Sequence, residues 1–308
     1  NTKSVEERRD WADRVWASLQ ARLNPTDRVT ILAGQKYREN LVEWISKHGC
    51  RVEVPMEGIG IGEQLQWLTQ WSIRIAHPSA QSSDLSRFYG ALHRLEGGLG
   101  GKRLLGQCTA RHGWPAQGVY FFFEPGETRS GLDAPRVVRI GTHGVSRGSR
   151  ATLWNRLRTH RGTTAGHGNH RGSVFRLHVG AALAARDESL RVASWGKGQH
   201  APADVRAAER ALEQRVSAHI GAMEVLWVAV PDEPGPENNR AFLERNLIGL
   251  LAGSRSPVDP PSEQWLGRHS PLEGIRHSGL WNLDHIHCEC SPQALDVLDR
   301  YIASTLGE

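Results

Sequence analysis

Residues 118–160 read GVYFFFEPGETRSGLDAPRVVRIGTHGVSRGSRATLWNRLRTH. Two apolar runs, GVYFFFE and RVVRIGTH, flank a Pro/Gly-rich turn, which is the pattern of a β-hairpin. After a second turn, TLWNRLRTH reads as a helix. It carries Arg156 and His160 four residues apart, one turn from each other on the same face. A hairpin followed by a helix bearing a cation and an imidazole is the unit from which the rest is read.

Charge is concentrated around this unit. Between Asp133 and Asp187 there is no acidic residue and no Lys, yet ten of the chain's 38 basic residues lie there, all of them Arg. The other 28 are outnumbered by 33 acidic residues, so the net charge of +5 hides an uneven distribution. A one-sided Arg block favours a polyanion partner, because guanidinium groups make two-pronged contacts to phosphates and base edges. Candidate contacts are Arg147, Arg150, Arg158, Arg161, Arg171 and Arg176, with Asn169 and His170 from the GNHRGS turn. Asn and Arg there suit adenine and guanine edges respectively.

Length and composition set the frame. A chain of 308 residues exceeds the usual single-domain size, so two domains are expected. No apolar run reaches the ~18 residues of a membrane span, and NTKSVEERRD lacks the apolar region of a signal peptide. The four cysteines, Cys50, Cys108, Cys288 and Cys290, are too scattered for a disulfide framework, so a cytoplasmic location is expected.

Before the hairpin, residues 4–22 read as a capped amphipathic helix. RVTILAG (28–34) and RVEVP (51–55) then read as strands around the helix QKYRENLVEWISKHG, and EQLQWLTQW as a further helix. This is a βαβ-type unit of unknown role, placed at residues 1–80. GIGIG (58–62) matches no phosphate-loop spacing and reads as a tight turn. Residues 76–117 read as a polar linker, a short helix and a Gly-rich stretch. Residues 161–201 form a basic, His-rich insertion too long for an ordinary connection. Beyond it, 202–220 reads as a helix, MEVLWVAV (223–230) as a buried strand and NRAFLERNLIGLLA (239–252) as a helix closed by Gly253. In DHIHCEC (284–290) a strand would send alternate residues to opposite faces, so the four ligands of a zinc site could not converge.

The order strand, strand, helix, helix, strand, helix over residues 114–255 resembles the GIY-YIG nuclease superfamily, in particular its restriction-endonuclease-like members. The matching residues are Gly118, Val119 and Tyr120 on the first strand, then Arg139, Ile140 and Gly141 on the second, Arg156 on the helix and Glu244 on the last helix. The resemblance implies an α/β (α+β) nuclease domain at 81–308, with a central three-stranded antiparallel sheet flanked by helices and a C-terminal extension at 254–308. It implies a divalent-metal-dependent DNA endonuclease. Glu244 would hold Mg²⁺ or Mn²⁺, Arg156 would clamp the scissile phosphate and Tyr120 would serve as base or orient water. Arg139 stands where the family has Tyr, so His143 and His160 are the substitutes for assisting the nucleophile. His160 ranks higher, because restriction enzymes of this superfamily carry a His four residues after the Arg. For the family's late Asn, Asn282 in SGLWN is preferred to Asn246.

The expected role is restriction or phage defence, with sensitivity to base modification as part of that expectation. The alternatives are a repair or mobile-element nuclease, a non-catalytic DNA-binding module that kept the fold, and RNA as substrate. Cutting both strands of a duplex would suit an isologous homodimer. ERRDWADRV, RVTILAGQKYRENLV and VPMEGIGIGEQLQWL resemble the C-terminal half of an uncharacterised bacterial α/β domain. With no Met at its start, the sequence is expected to be a piece of a longer one.

Overall fold

A computed structural model describes Arg28–Thr30, Arg51–Glu53 and residues 80–308 apart from 236–237, 254–256 and 258. The chain divides into two compact units, Asn1–Ser83 and Asp84–Glu308. In the first, strands β1 (Arg28–Thr30) and β2 (Arg51–Glu53) pair in parallel, Val29 opposite Val52. The helices expected at 4–22, 35–49 and 63–71 lie outside the described residues.

The second unit is built on strand β4 (Gly118–Thr128). Its run VYFFF is buried throughout, because both faces of the strand are covered. Val119, Phe121 and Phe123 pack on one side with Leu226 and Val228, against helices α1 (Ala80–Leu99), α5 (Asn239–Ala252) and α7 (Ala294–Leu306). Tyr120 and Phe122 pack on the other with Val225 and Trp227, against α2 (Leu153–Arg161), α3 (Val174–Arg186) and α4 (Ala203–Gly221). The period of two thus feeds two cores from one strand.

β4 pairs antiparallel with β5 (Pro135–Gly141) on one side and β6 (Glu224–Ala229) on the other. The sheet has four strands rather than the expected three, because β3 (Arg103–Leu104) adds an edge to β6. A register shift leaves Val138 unpaired between Arg139 and Val137, which face Phe122 and Phe123. That bulge turns Arg139 toward the α2–α3 side, where its guanidinium lies 4.8 Å from the Phe175 ring.

Two further expectations are corrected. The stretch read as linker and short helix holds the 20-residue α1, whose pattern was interrupted by Gly97 and Gly98. Gly98 is there for close approach, since a Cβ on it would sit 2.3 Å from the Leu306 side chain of α7. The insertion 161–201 likewise contains a whole helix, α3. The short helix α6 (Glu273–Ser278) follows α5. Residues 284–287 form a turn, not a strand, with His285 at φ 67°, and Cys288 and Cys290 are half-buried. No helix among the described residues is long and apolar enough to cross a membrane.

Candidate active site

Tyr120 lies opposite Trp227 on one neighbouring strand and Gly141 on the other. Its ring fills the space a side chain at 141 would need, because a Cβ there would be 2.3 Å from the Tyr120 hydroxyl. The hydroxyl is 2.8 Å from His160 Nε2, and His160 Nδ1 is 2.8 Å from Ser173 Oγ. Ser173 also caps α3, accepting from the Arg176 N–H at 3.2 Å. His160 is fully buried, with the Phe175 ring edge-on at 5.5 Å. Burial holds its pKa well below the ordinary value, and Arg156, Arg139 and Arg176 lower it further. A neutral imidazole carries one N–H, so if Tyr120 donates to Nε2 then Nδ1 donates to Ser173.

Arg156 is half-buried one turn before His160 on α2. Thr152 caps this helix, its hydroxyl accepting from the Asn155 N–H at 3.2 Å.

Where β5 ends, the Thr142 N–H donates to Glu244 Oε1 at 3.2 Å and the Thr142 hydroxyl donates to the Gly118 carbonyl at 3.0 Å. Glu244 is carried by α5, whose start is fixed by Asn238 accepting from the Ala241 N–H. One turn earlier, buried Arg240 pairs with Asp232 and donates to the His143 carbonyl at 2.9 Å, pinning the segment after β5. Burial raises the Glu244 pKa, opposed by Arg139, by the Thr142 N–H and by Arg156. His143 Nε2 meets the Ala116 carbonyl at 3.2 Å, and burial brings its pKa down to about 4, with Arg240 and Arg156 lowering it and the Ala116 carbonyl raising it. Arg139 donates to the Trp281 carbonyl at 2.8 Å, and its Nε has no partner among the described residues.

Tyr120, His160, Arg156, Arg139, His143 and Glu244 are therefore gathered around the open end of the hairpin, where β4 begins and β5 finishes. The arrangement sets a phenol–imidazole pair, two guanidinium groups and a carboxylate against one another, a combination suited to an anionic centre attacked by water.

The expected nucleic-acid contacts divide sharply. Arg147, Arg150, Arg158 and Asn169 are exposed, Asn169 also accepting from the Arg171 N–H. Four others are corrected, because they are turned inward. Arg161 donates to the Cys108 carbonyl and lies over Trp154. Arg176, fully buried, pairs with Glu213 at 2.5 Å. Arg171 pairs with Glu209 at 2.6 Å. His170 is held by Glu213 at 3.0 Å and stacks on Trp195. The Asn282 side chain bonds both the N–H and the carbonyl of Ile140 and so completes the outer edge of β5. Asn246 accepts from the Ser291 N–H at 2.6 Å. Ser173 was missed, although a Ser before the apolar VFRLHV is a helix-start signal.

Residues 79–307 match the GIY-YIG domain family. Residues 1–70 match a family of unknown function (DUF6884). No curated protein and no solved structure matches the chain. The match spans the hairpin, the Arg156 helix and the Glu244 helix alike, and the chain belongs to the GIY-YIG domain family.

Proposed function

We propose that this protein is a divalent-metal-dependent DNA endonuclease of restriction or phage defence. The observation that carries the reading is the Tyr120–His160 contact, set beside Arg156 and Glu244 at the open end of the hairpin. Arg156 clamps the phosphoryl oxygens. Tyr120 gives its phenolic proton to Nε2 of His160, kept neutral by burial, as its oxygen takes one from the attacking water. The bond from His160 to Ser173 fixes the ring against rotation.

The donor set fits a hard cation. Glu244 engages Thr142 through Oε1, and among the described residues no three His, Cys, Asp or Glu side chains form a ready-made cage. One carboxylate, completed by waters and the substrate's phosphate, is how Mg²⁺ or Mn²⁺ is commonly held. When bound, such an ion supplies charge stabilisation at the scissile phosphate. Exposed Arg147, Arg150 and Arg158 hold the DNA backbone. The His four residues after Arg156 supports a restriction-type role. Arg139, tied to Trp281 where the family has Tyr, favours a second reading as a binding module without catalysis.

Plasmid cleavage by wild type and Glu244→Ala, on modified and unmodified DNA in Mg²⁺, Mn²⁺ and EDTA, tests the reading. Nicking or linearisation lost on both substitution and chelation supports it, and preference for one modification state supports defence. DNA bound but left intact under every condition overturns it.

A further inference from the structure

Tyr120 stands opposite Trp227 in the β4–β6 ladder, and a chain of indoles leads outward from that pair. The Trp227 ring meets Trp114 at 4.5 Å, and Trp114 lies on Trp154 at 5.5 Å with the ring planes 15° apart. Trp227 is buried, whereas Trp114 and Trp154 are half-buried. The chain therefore runs from the strand that carries the phenol to the surface.

Backbone contacts fix it beside the site. Trp114 precedes β4 by four residues, in a segment whose Ala116 carbonyl accepts from the Leu153 N–H at 3.0 Å and meets His143 Nε2 at 3.2 Å. Trp154 is the second residue of α2, two before Arg156 and one turn before the exposed Arg158. A group resting on these indoles is thus a neighbour of the phosphate that Arg156 clamps.

Polar groups along the chain are left without partners. The Trp114 N–H donates to the Thr109 carbonyl at 2.8 Å, but that of Trp154 bonds nothing among the described residues. The Arg103 guanidinium of β3, 5.4 Å from the Trp227 ring, makes no hydrogen bond or ion pair among the described residues. Arg161, held by the Cys108 carbonyl, lies 5.2 Å from the Trp154 ring and braces it. Flat rings flanked by cations match a nucleotide, because bases stack on aromatic side chains while guanidinium groups pair with phosphate. In a duplex each base already stacks on its neighbours, so the occupant is a base drawn out of the stack.

We propose that Trp154 and Trp114 form a stacking platform for one unstacked nucleobase of the DNA strand, beside the scissile phosphate, with Arg103 pairing with a neighbouring phosphate. This rests on the nuclease reading above. It gives the site, whose other groups address phosphate, water and metal, a surface that holds a base.

The test is fluorescence anisotropy of a short labelled DNA strand with the full chain in EDTA, where nothing is cut. The strand is used intact and with a run of abasic residues, which keeps the phosphates and removes the stacking partners. Trp154→Ala is expected to weaken binding of the intact strand about five- to a hundredfold and to leave binding of the abasic strand unchanged. Trp154→Phe, which keeps a ring, should recover most of the loss. Arg103→Ala should instead weaken both strands and reduce the slope of log K against log salt by about 0.7, the value for one phosphate contact on a single strand. An unchanged slope removes Arg103 from the platform.

Equal losses for Trp154→Ala on the intact and abasic strands overturn the proposal, since a disturbed fold or a lost backbone contact gives that result. Wild-type affinity in Trp154→Ala overturns it as well. A loss seen only with an RNA strand of the same sequence overturns DNA as the occupant. Plasmid cleavage by wild type separates this from the nuclease reading. If wild type cuts DNA and Trp154→Ala does not distinguish the two strands, only the platform falls. If Trp154→Ala distinguishes them and wild type cuts nothing in any metal, the nuclease reading falls, and with it the placement beside a scissile phosphate.

Discussion

The Tyr120 hydroxyl and the His160 Nε2 are 2.8 Å apart within the protein, joining the first strand of the hairpin to the helix that follows it. Through Ser173 the same imidazole reaches the start of α3, so the 161–201 insertion is fastened to the site by a hydrogen bond. Position and protonation state are set together here, because the burial that fixes the ring also keeps it uncharged.

Removing the hydroxyl isolates this relationship. Tyr120→Phe should lower the single-turnover cleavage rate by about 10²–10⁴-fold, the usual range for a proton-transfer group. It should leave DNA affinity unchanged in gel-shift assays. Stability should fall by about 1–3 kcal/mol, since His160 keeps a buried nitrogen without its partner. A rate within threefold of wild type would remove Tyr120 from the chemistry.

Gly141 should be as sensitive as any polar residue of the site. A methyl at that position meets the Tyr120 ring, with the nearest carbon at 2.4 Å. Gly141→Ala should cost about 1–3 kcal/mol by overpacking, read as a lower melting temperature. Combined with Tyr120→Ala, which clears the space, the two changes should be less than additive in a double-mutant cycle. Full additivity would mean the clash is relieved elsewhere.

The fold was legible where signals are local. The apolar faces of GVYFFF, Gly253 at the end of α5, and the turn residues between β4 and β5 all act within a few positions of themselves. What stayed hidden depends on partners remote in sequence. The acid-free block looked uncompensated, yet Arg176 and Arg171 meet Glu213 and Glu209, 37 and 38 residues further along. Arg139 is anchored 142 residues away at Trp281. Composition reports how many charges a segment holds and is silent on which face inward.

That division between inward and outward arginines is open to direct measurement. Arg147→Ala, Arg150→Ala and Arg158→Ala should each weaken DNA binding and reduce the slope of log K against log salt by about 1. Each should change stability by less than about 0.5 kcal/mol. Arg176→Met should do the reverse. It strands the Glu213 carboxylate in the interior and should destabilise by about 3–5 kcal/mol, measured by urea unfolding. A reduced salt slope for Arg176→Met would show that this residue reaches DNA after all.

Acid should weaken the protein through its buried histidines. Burial brings the pKa values of His143 and His178 from 6.5 to about 4, with Arg139 assisting at His178. Above pH 6.5 both are neutral in the folded and unfolded chains, so neither affects stability. As pH falls below 6.5 the unfolded chain binds protons that the folded chain refuses, and stability is lost until about pH 4, where the folded state takes them up. Each group corresponds to about 3 kcal/mol over that window. His160 acts in the same sense, its folded-state pKa being lowered as well. Glu244 works the other way, because a carboxyl raised by burial binds its proton more readily folded than unfolded. With three histidines against one carboxyl, the melting temperature should fall steadily from pH 6.5 to 4, and His178→Gln should flatten that slope. A melting temperature constant across this range would show that the buried imidazoles gain their protons without leaving the fold.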